Sequence, residues 1–367
     1  MRPERQVLLI YDGQGDDLVS GSLQAVERAG YTVTRISPNE AIGFLETAEP
    51  DVVVVALPPE LLVDCLNTLN TMHPGIPTVV LSGSYQGVAR GPEEYLARTD
   101  LTGDSIARSI KHASQRYRYQ AAERALRAVR GELGSARQVQ AELFPPPPPD
   151  IDLWGEVSSV GVSGDFYDFL QLPGGQLVIA VGDVTGHGLD AALLMATARA
   201  YLRAIVHLVG CANVGDVMGK LNGLLCGDVG DERFVAMSLA RLDIGSMTLH
   251  YCAAGQPPGY LLTADGIIQE LGGMPALPLG IERGTGYESI EFPLAAQDML
   301  VFLTDGVLEA NSPAGEYFGT GNLLAALQRH RGLSAREVVG SLQADLTTYA
   351  AGVPHRDDLT LVVVKLP

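Results

Sequence analysis

The sequence predicts an α/β domain built on a parallel sheet, then a helical connection, then an α+β domain of packed β-strands flanked by helices. Three observations carry this. Over roughly the first hundred residues short apolar runs alternate with helix-period stretches; the middle is arginine-rich and helix-favouring; the second half holds many short β-rich runs whose ends carry aspartates. At 367 residues with 46% hydrophobic content, the chain has the length and apolar surface for two cores.

In the first part the apolar run at 6–11 ends in Asp12-Gly13 and is followed by a helix-period stretch through Leu18, Leu23, Val26 and Ala29 to Gly30. That reads as strand, loop, helix and glycine stop. Strands at 32–36, 51–56, 78–81 and around Tyr95-Leu96 alternate with helices near 39–47 and 60–72. Strands that are apolar on both faces belong to a parallel sheet covered on both sides. The order and lengths resemble the receiver domain of two-component response regulators, a flavodoxin-like five-stranded parallel sheet, over residues 1–115. In that family an acidic pair ends the first strand, a phosphoacceptor aspartate the third, a hydroxyl the fourth and a lysine the fifth. Here Tyr11-Asp12, Ala56, Ser82 and Arg98-Thr99 stand at those places, with Tyr95 as the aromatic. Asp51 lies five residues before Ala56 on the same strand, roughly 16 Å away at ~3.3 Å per residue, and cannot substitute. The resemblance therefore implies a pseudo-receiver that aspartyl phosphorylation does not switch, taking its input from an unidentified regulator.

Residues 105–143 contain 8 basic and 3 acidic side chains, between an acidic first part and an acidic last part. They are free of proline until the run at 145–149, and read as one long helix or two stacked ones. Leu126, Val129, Leu133, Ala136, Gln140 and Leu143 form an a/d-type seam with one polar member. The seam suits a homodimer contact, or packing on the domain that follows.

In the second domain, residues 150–367, strands are expected at 176–181, 234–243, 248–253, 259–262, 299–303 and 359–364, and helices near 191–209, 214–225, 322–328 and 335–349. Acids punctuate the strand ends: Ser163-Gly-Asp165-Phe-Tyr-Asp168, Gly182-Asp183-Val184-Thr-Gly-His187-Gly188, Thr304-Asp305-Gly306 and His355-Arg-Asp357-Asp358-Leu-Thr360. A carboxylate at the end of an apolar strand is costly unless paired or bound to a cation. Hard oxygen donors without cysteine or clustered histidine favour magnesium or manganese over zinc.

These motifs, in this order, resemble the SpoIIE/RsbU branch of the PPM metal-dependent phosphatases from about Ala136 onward. Supporting pieces are Ala136-Arg-Gln-Val-Gln, Ala191-Ala-Leu-Leu-Met, Ala253-Ala-Gly-Gln-Pro-Pro, Pro278-Leu-Gly280 and Glu309-Ala-Asn. The resemblance implies a β-sandwich flanked by helices, with two divalent ions at one end, manganese first and magnesium as the alternative. Asp183 and Asp305 are the catalytic pair it implies. Asp183 would bridge both ions with help from the Val184 carbonyl, Asp305 and Asp357 would hold the second, and Asp165 would act at the first or through water. Asp168 and Asp358 would orient the ligands. His187 is a candidate general acid, but it follows Asp183 by four positions where the eukaryotic relatives use two, and Gly186 and Gly188 suggest a loop-shaping role instead.

The activity so implied is hydrolysis of phosphoserine or phosphothreonine on a regulatory protein, by resemblance an anti-anti-sigma (STAS) factor in bacterial partner switching. A noncatalytic adaptor that binds a sigma factor or its regulator is the competing class, against which four intact acids weigh. A net charge of −18 argues against nucleic acid as a partner. Four cysteines without CxxC spacing, no N-terminal signal pattern and no long apolar span are expected of a cytoplasmic protein without a membrane segment.

Overall fold

The computed structural model describes residues 5–13, 17–82, 94–97, 102–159, 161–228, 230, 233–273 and 276–367. It divides into two compact units, residues 1–130 and 131–367.

In the first unit the strands are β1 (Arg5–Tyr11), β2 (Tyr31–Ile36), β3 (Val52–Ala56), β4 (Thr78–Ser82) and β5 (Glu94–Ala97), interleaved with helices α1 (Asp17–Arg28), α2 (Pro38–Leu45) and α3 (Pro59–Met72). All pairings are parallel, in the order β2-β1-β3-β4-β5. That is the flavodoxin-like order the receiver resemblance implied. Side-chain alternation sorts the strands onto two cores. Val7, Leu9, Val52 and Val54 face one side with Ile106 and Ile110, while Leu8, Ile10, Val53 and Val55 face the other with Leu62 and Leu66. Ala56 ends β3 directly opposite Tyr11. Asp51 stands at the other end of that strand, where its carboxylate accepts the Gln6 N–H at 2.9 Å and pairs with Arg118 at 3.1 Å. Arg98 and Thr99 lie outside the described residues.

The connection is one helix, α4 (Gly103–Leu143), rather than two. Along the anticipated seam Leu126, Val129 and Leu133 are exposed, whereas Gln140 is buried and Leu143 packs against the core of the second unit.

The second unit is a four-layer sandwich. One antiparallel sheet, in the order β13-β10-β9-β8-β7, comprises β7 (Phe166–Leu172), β8 (Gln176–Val184), β9 (Val235–Asp243), β10 (Thr248–Ala254) and β13 (Ile290–Pro293). The other, β12-β11-β14-β15-β6, comprises β6 (Asp152–Ser158), β11 (Gly259–Leu262), β12 (Ile268–Leu271), β14 (Met299–Leu303) and β15 (Leu359–Lys365). Helices α5 (Leu189–Val209) and α6 (Val214–Asp228) cover the first sheet; α8 (Gly319–His330) and α9 (Ala335–Ala350) cover the second, and the short α7 (Asp305–Leu308) follows β14. Period-two alternation along β8 builds the layers: Val178 and Ala180 face the helices, and Leu177, Ile179 and Val181 face the opposite sheet.

The absence of a long apolar span needs correcting at α5, which is long and apolar enough by length and composition to cross a membrane. One face of it, with Ala191, Met195, Ala198 and Leu202, is buried in the core of the unit, while Leu193, Leu208 and Val209 are exposed. The strands β6, β7, β12 and β13 and helix α7 were not anticipated.

Candidate active site at the acidic end of the sandwich

Antiparallel pairing brings the acidic motifs to one end. β7 starts where β8 finishes, with Phe166 opposite Gly182, so Asp165 and Asp183 are neighbours at the end of the first sheet. β15 starts where β14 finishes, with Leu303 opposite Leu361, so Thr304-Asp305 and Asp357-Asp358 are neighbours at the end of the second. Two glycines allow this closeness. A Cβ on Gly182 would fall 2.4 Å from the Phe166 ring, and one on Gly306 would fall 2.0 Å from the Asp358 carbonyl oxygen. Gly186 and Gly188 take positive φ in the turn that leads from Val184 into α5.

Burial grades the acids. Asp165 is 1% exposed, Asp183, Asp305 and Asp358 are half-buried, and Asp357 is exposed. A set of hydroxyls holds the buried member. Thr304 and Thr360, both fully buried, donate their Oγ1 hydrogens to Asp165 Oδ2 at 2.7 and 2.6 Å, reaching across from the opposite sheet. Ser163 Oγ donates to Asp358 Oδ2 at 2.7 Å and accepts the Asp165 N–H at 3.0 Å. The Gly164 N–H also donates to Asp358 Oδ2, at 3.1 Å.

The acids raise one another's proton affinity. Burial, then the charge of Asp305, pushes Asp183 up to about 7. Burial and the neighbouring Asp183 hold Asp165 well above the usual carboxylate range, against the pull of the two threonines. Asp305 is raised by burial and by Asp357, and Asp358 by burial against its bond from Ser163. Among the described residues no three His, Cys, Asp or Glu side chains are drawn together tightly enough to hold an ion. The group is a loose acidic mouth of hard oxygen donors. Divalent ions of the magnesium and manganese kind, which keep several water ligands, suit such a set better than an ion that needs a closed protein cage.

Two of the anticipated residues stand apart. Asp168 is fully buried, but it faces α5: its carboxylate pairs with Arg203 at 2.8 and 3.0 Å and with Arg199 at 3.2 Å, and accepts the N–H of Phe169. The two guanidiniums fix β7 to α5, and no bond joins Asp168 to the acidic mouth among the described residues. His187 lies exposed in the turn after Val184. Sequence reasoning missed Thr304, Thr360 and Ser163 as site residues, although each sits inside a quoted motif; a threonine beside an acid at a strand end was the available signal.

The family model for stage II sporulation protein E (SpoIIE) matches residues 173–367, a little over half of the chain. The chain belongs to the SpoIIE family. The SpoIIE match begins after Asp165 and Asp168, which are tied to it here through the threonine bonds and β7. Protein IcfG of a Synechocystis species is 27% identical over 331 residues, covering 80% of this chain and 51% of IcfG. Phosphoserine phosphatase RsbU of Bacillus subtilis is 28% identical over 242 residues, covering 65% of this chain and 70% of RsbU. The chain thus spans about half the length of the first of these relatives. Among solved structures the PP2C domain of SiaA from Pseudomonas aeruginosa superposes with a TM-score of 0.60 at 23% identity, covering 66% of this chain and 99% of that domain. This likeness shows the fold: the second unit of this SpoIIE-family chain is a PP2C-type sandwich.

Proposed function

We propose that the chain is a metal-dependent phosphatase that removes phosphate from phosphoserine or phosphothreonine on a regulatory protein. The observation that carries this is the acidic mouth itself: Asp183, Asp305 and Asp357 gathered at one end of the sandwich around a buried Asp165. The ions expected are two divalent cations, manganese before magnesium. When bound they supply a water acidic enough to attack phosphorus and neutralise the phosphoryl oxygens.

Each residue has a task in this reading. Asp183, at the strand end beside Asp165, would hold the ions together with the Val184 carbonyl. Asp305 and Asp357 would serve the second ion. Asp165, whose Oδ2 is taken by two threonine hydroxyls, acts through its remaining oxygen on Asp183 or on water. Asp358 holds the Ser163 loop in place, and Asp168 supports the site indirectly by fixing α5. His187, exposed in the turn after Val184, serves as the general acid for the leaving oxygen if its removal changes the pH profile of turnover, and shapes the loop if it does not.

The name of RsbU, a phosphoserine phosphatase, supports the phosphoserine class. Within that class the substrate proposed is a phosphorylated partner-switching protein of the STAS type, acted on in the cytoplasm, as the family resemblance implies. The exposed Leu126, Val129 and Leu133 face of α4 suits a second copy of the chain, and the first unit suits a regulator that docks without aspartyl phosphorylation. The test is phosphate release from phosphoserine and phosphotyrosine peptides, with manganese and with a chelator. Manganese-dependent release from the phosphoserine peptide is expected; no release, with no manganese bound, would move the assignment to a noncatalytic adaptor.

A further inference from the structure

We propose that Gln140 is a positioning residue for the acidic mouth, its carboxamide setting the loop that carries Asp165 and engages Asp358. The inference rests on the phosphatase reading for its consequence in catalysis, but its structural part stands independently. Gln140 lies in the last turn of α4 and is 7% exposed. Its Nε2 donates to the Ser163 carbonyl at 2.7 Å, and its Oε1 accepts the Ser163 N–H at 2.7 Å. One side chain thus satisfies both backbone groups of one residue, as a neighbouring strand would. The pairing fixes the orientation of the amide as well, because a flipped carboxamide would set oxygen against oxygen and nitrogen against hydrogen donor.

From Ser163 the connection continues without a break. Its hydroxyl donates to Asp358 and accepts the Asp165 N–H, and the next residue, Gly164, donates to Asp358. Gly164 is pressed close to the strand that carries Asp183: a Cβ there would lie 2.9 Å from the Val184 carbonyl oxygen. The loop therefore has little slack, and Gln140 decides where its first residue sits. In the apolar seam of α4 a leucine or valine would have served packing equally well. The polar member is there because the loop beneath it needs a donor and an acceptor.

The test uses the full chain with three substitutions. Gln140→Met keeps length and apolar packing but offers Ser163 no useful bond. Gln140→Glu keeps an acceptor for the Ser163 N–H and loses the donor to its carbonyl. Glu132→Gln changes an exposed position on the same helix, off the apolar seam. Hydrogen exchange of the 161–168 backbone amides is read on metal-free protein, together with the unfolding temperature and manganese binding by calorimetry. Gln140→Met is expected to exchange about tenfold or more faster at Ser163 and Asp165 and to bind manganese ~10- to 100-fold more weakly, as loss of a ligand-orienting partner does. Gln140→Glu is expected to fall between it and the wild type, and Glu132→Gln to match the wild type. Wild-type exchange in folded Gln140→Met, or equal loosening by Glu132→Gln, overturns the proposal. Should Gln140→Met fail to fold, wild-type exchange in Gln140→Glu overturns it equally. A wild type that binds no manganese would sink the phosphatase reading while the exchange data still decide the role of Gln140.

Discussion

Two strand-end sites in one chain invite comparison. In the first unit the carboxyl edge of the parallel sheet brings Tyr11 beside Ala56, where the receiver pattern asks for acids. In the second unit the end of the sandwich brings together Asp165, Asp183, Asp305, Asp357 and Asp358, with Thr304, Thr360 and Ser163 bonded among them. Both folds collect residues at strand ends, because that is where strand pairing leaves side chains unburied by the next layer. What separates them is the retained chemistry and the hydrogen bonds that hold it. Keeping acids buried is costly, and in the second unit a hydrogen-bond network supports them.

The strongest way to break the comparison is to make the second site resemble the first. Asp183→Asn is expected to lower turnover on a phosphoserine peptide by at least about 10³-fold while the protein stays folded, measured by phosphate release and circular dichroism. Next is the backbone that lets the motifs meet. Gly306→Ala places a Cβ 2.0 Å from the Asp358 carbonyl, so β14 and β15 must part there. A loss of ~1–3 kcal/mol or more is expected in denaturant unfolding, with manganese affinity falling in step. Thr360→Val, nearly the same shape, removes one of two donors to Asp165 and is expected to cost about 1–3 kcal/mol.

The pH dependence sharpens the same contrast. Because Asp183 is raised to about 7, the metal-free fold favours its protonated form. That contribution is fully present below the ordinary carboxylate range and is lost as pH rises through about 7, and Asp165, Asp305 and Asp358 act in the same direction. The unfolding temperature of chelator-treated protein is expected to fall between pH 5 and 8, and manganese is expected to flatten that slope. The smallest effect is expected in the first unit: Ala56→Asp, tested with a small acyl phosphate donor, should change activity less than about twofold.

Much of this was legible beforehand. The parallel order of the first sheet followed from apolar runs such as 51–56, since a strand buried on both faces has few other uses. The acids at the mouth were legible because four motifs ended strands in the same way. What was not legible has physical reasons. Strands β12 and β13 and helix α7 have four residues each, too short to show a period. Strand β6 follows directly on the proline run, and its alternation is broken by Gly155. Asp168 looked like a partner of Asp165 from three residues away in sequence, but along β7 that spacing turns it to the helix side, where Arg199 and Arg203 wait 31 and 35 residues later. The seam on α4 admitted two readings, and the chain divides them by position: Gln140 and Leu143 pack inward, whereas Leu126, Val129 and Leu133 stay exposed.

The most direct test of the account is calorimetric titration of manganese into the chelator-treated full chain, beside Asp183→Asn and Asp305→Asn. Two ions bound by the wild type, and binding abolished or reduced to one weak site in the variants, is the result expected of an intact metal site at the acidic end. Binding that neither substitution alters would place the metal elsewhere and contradict it.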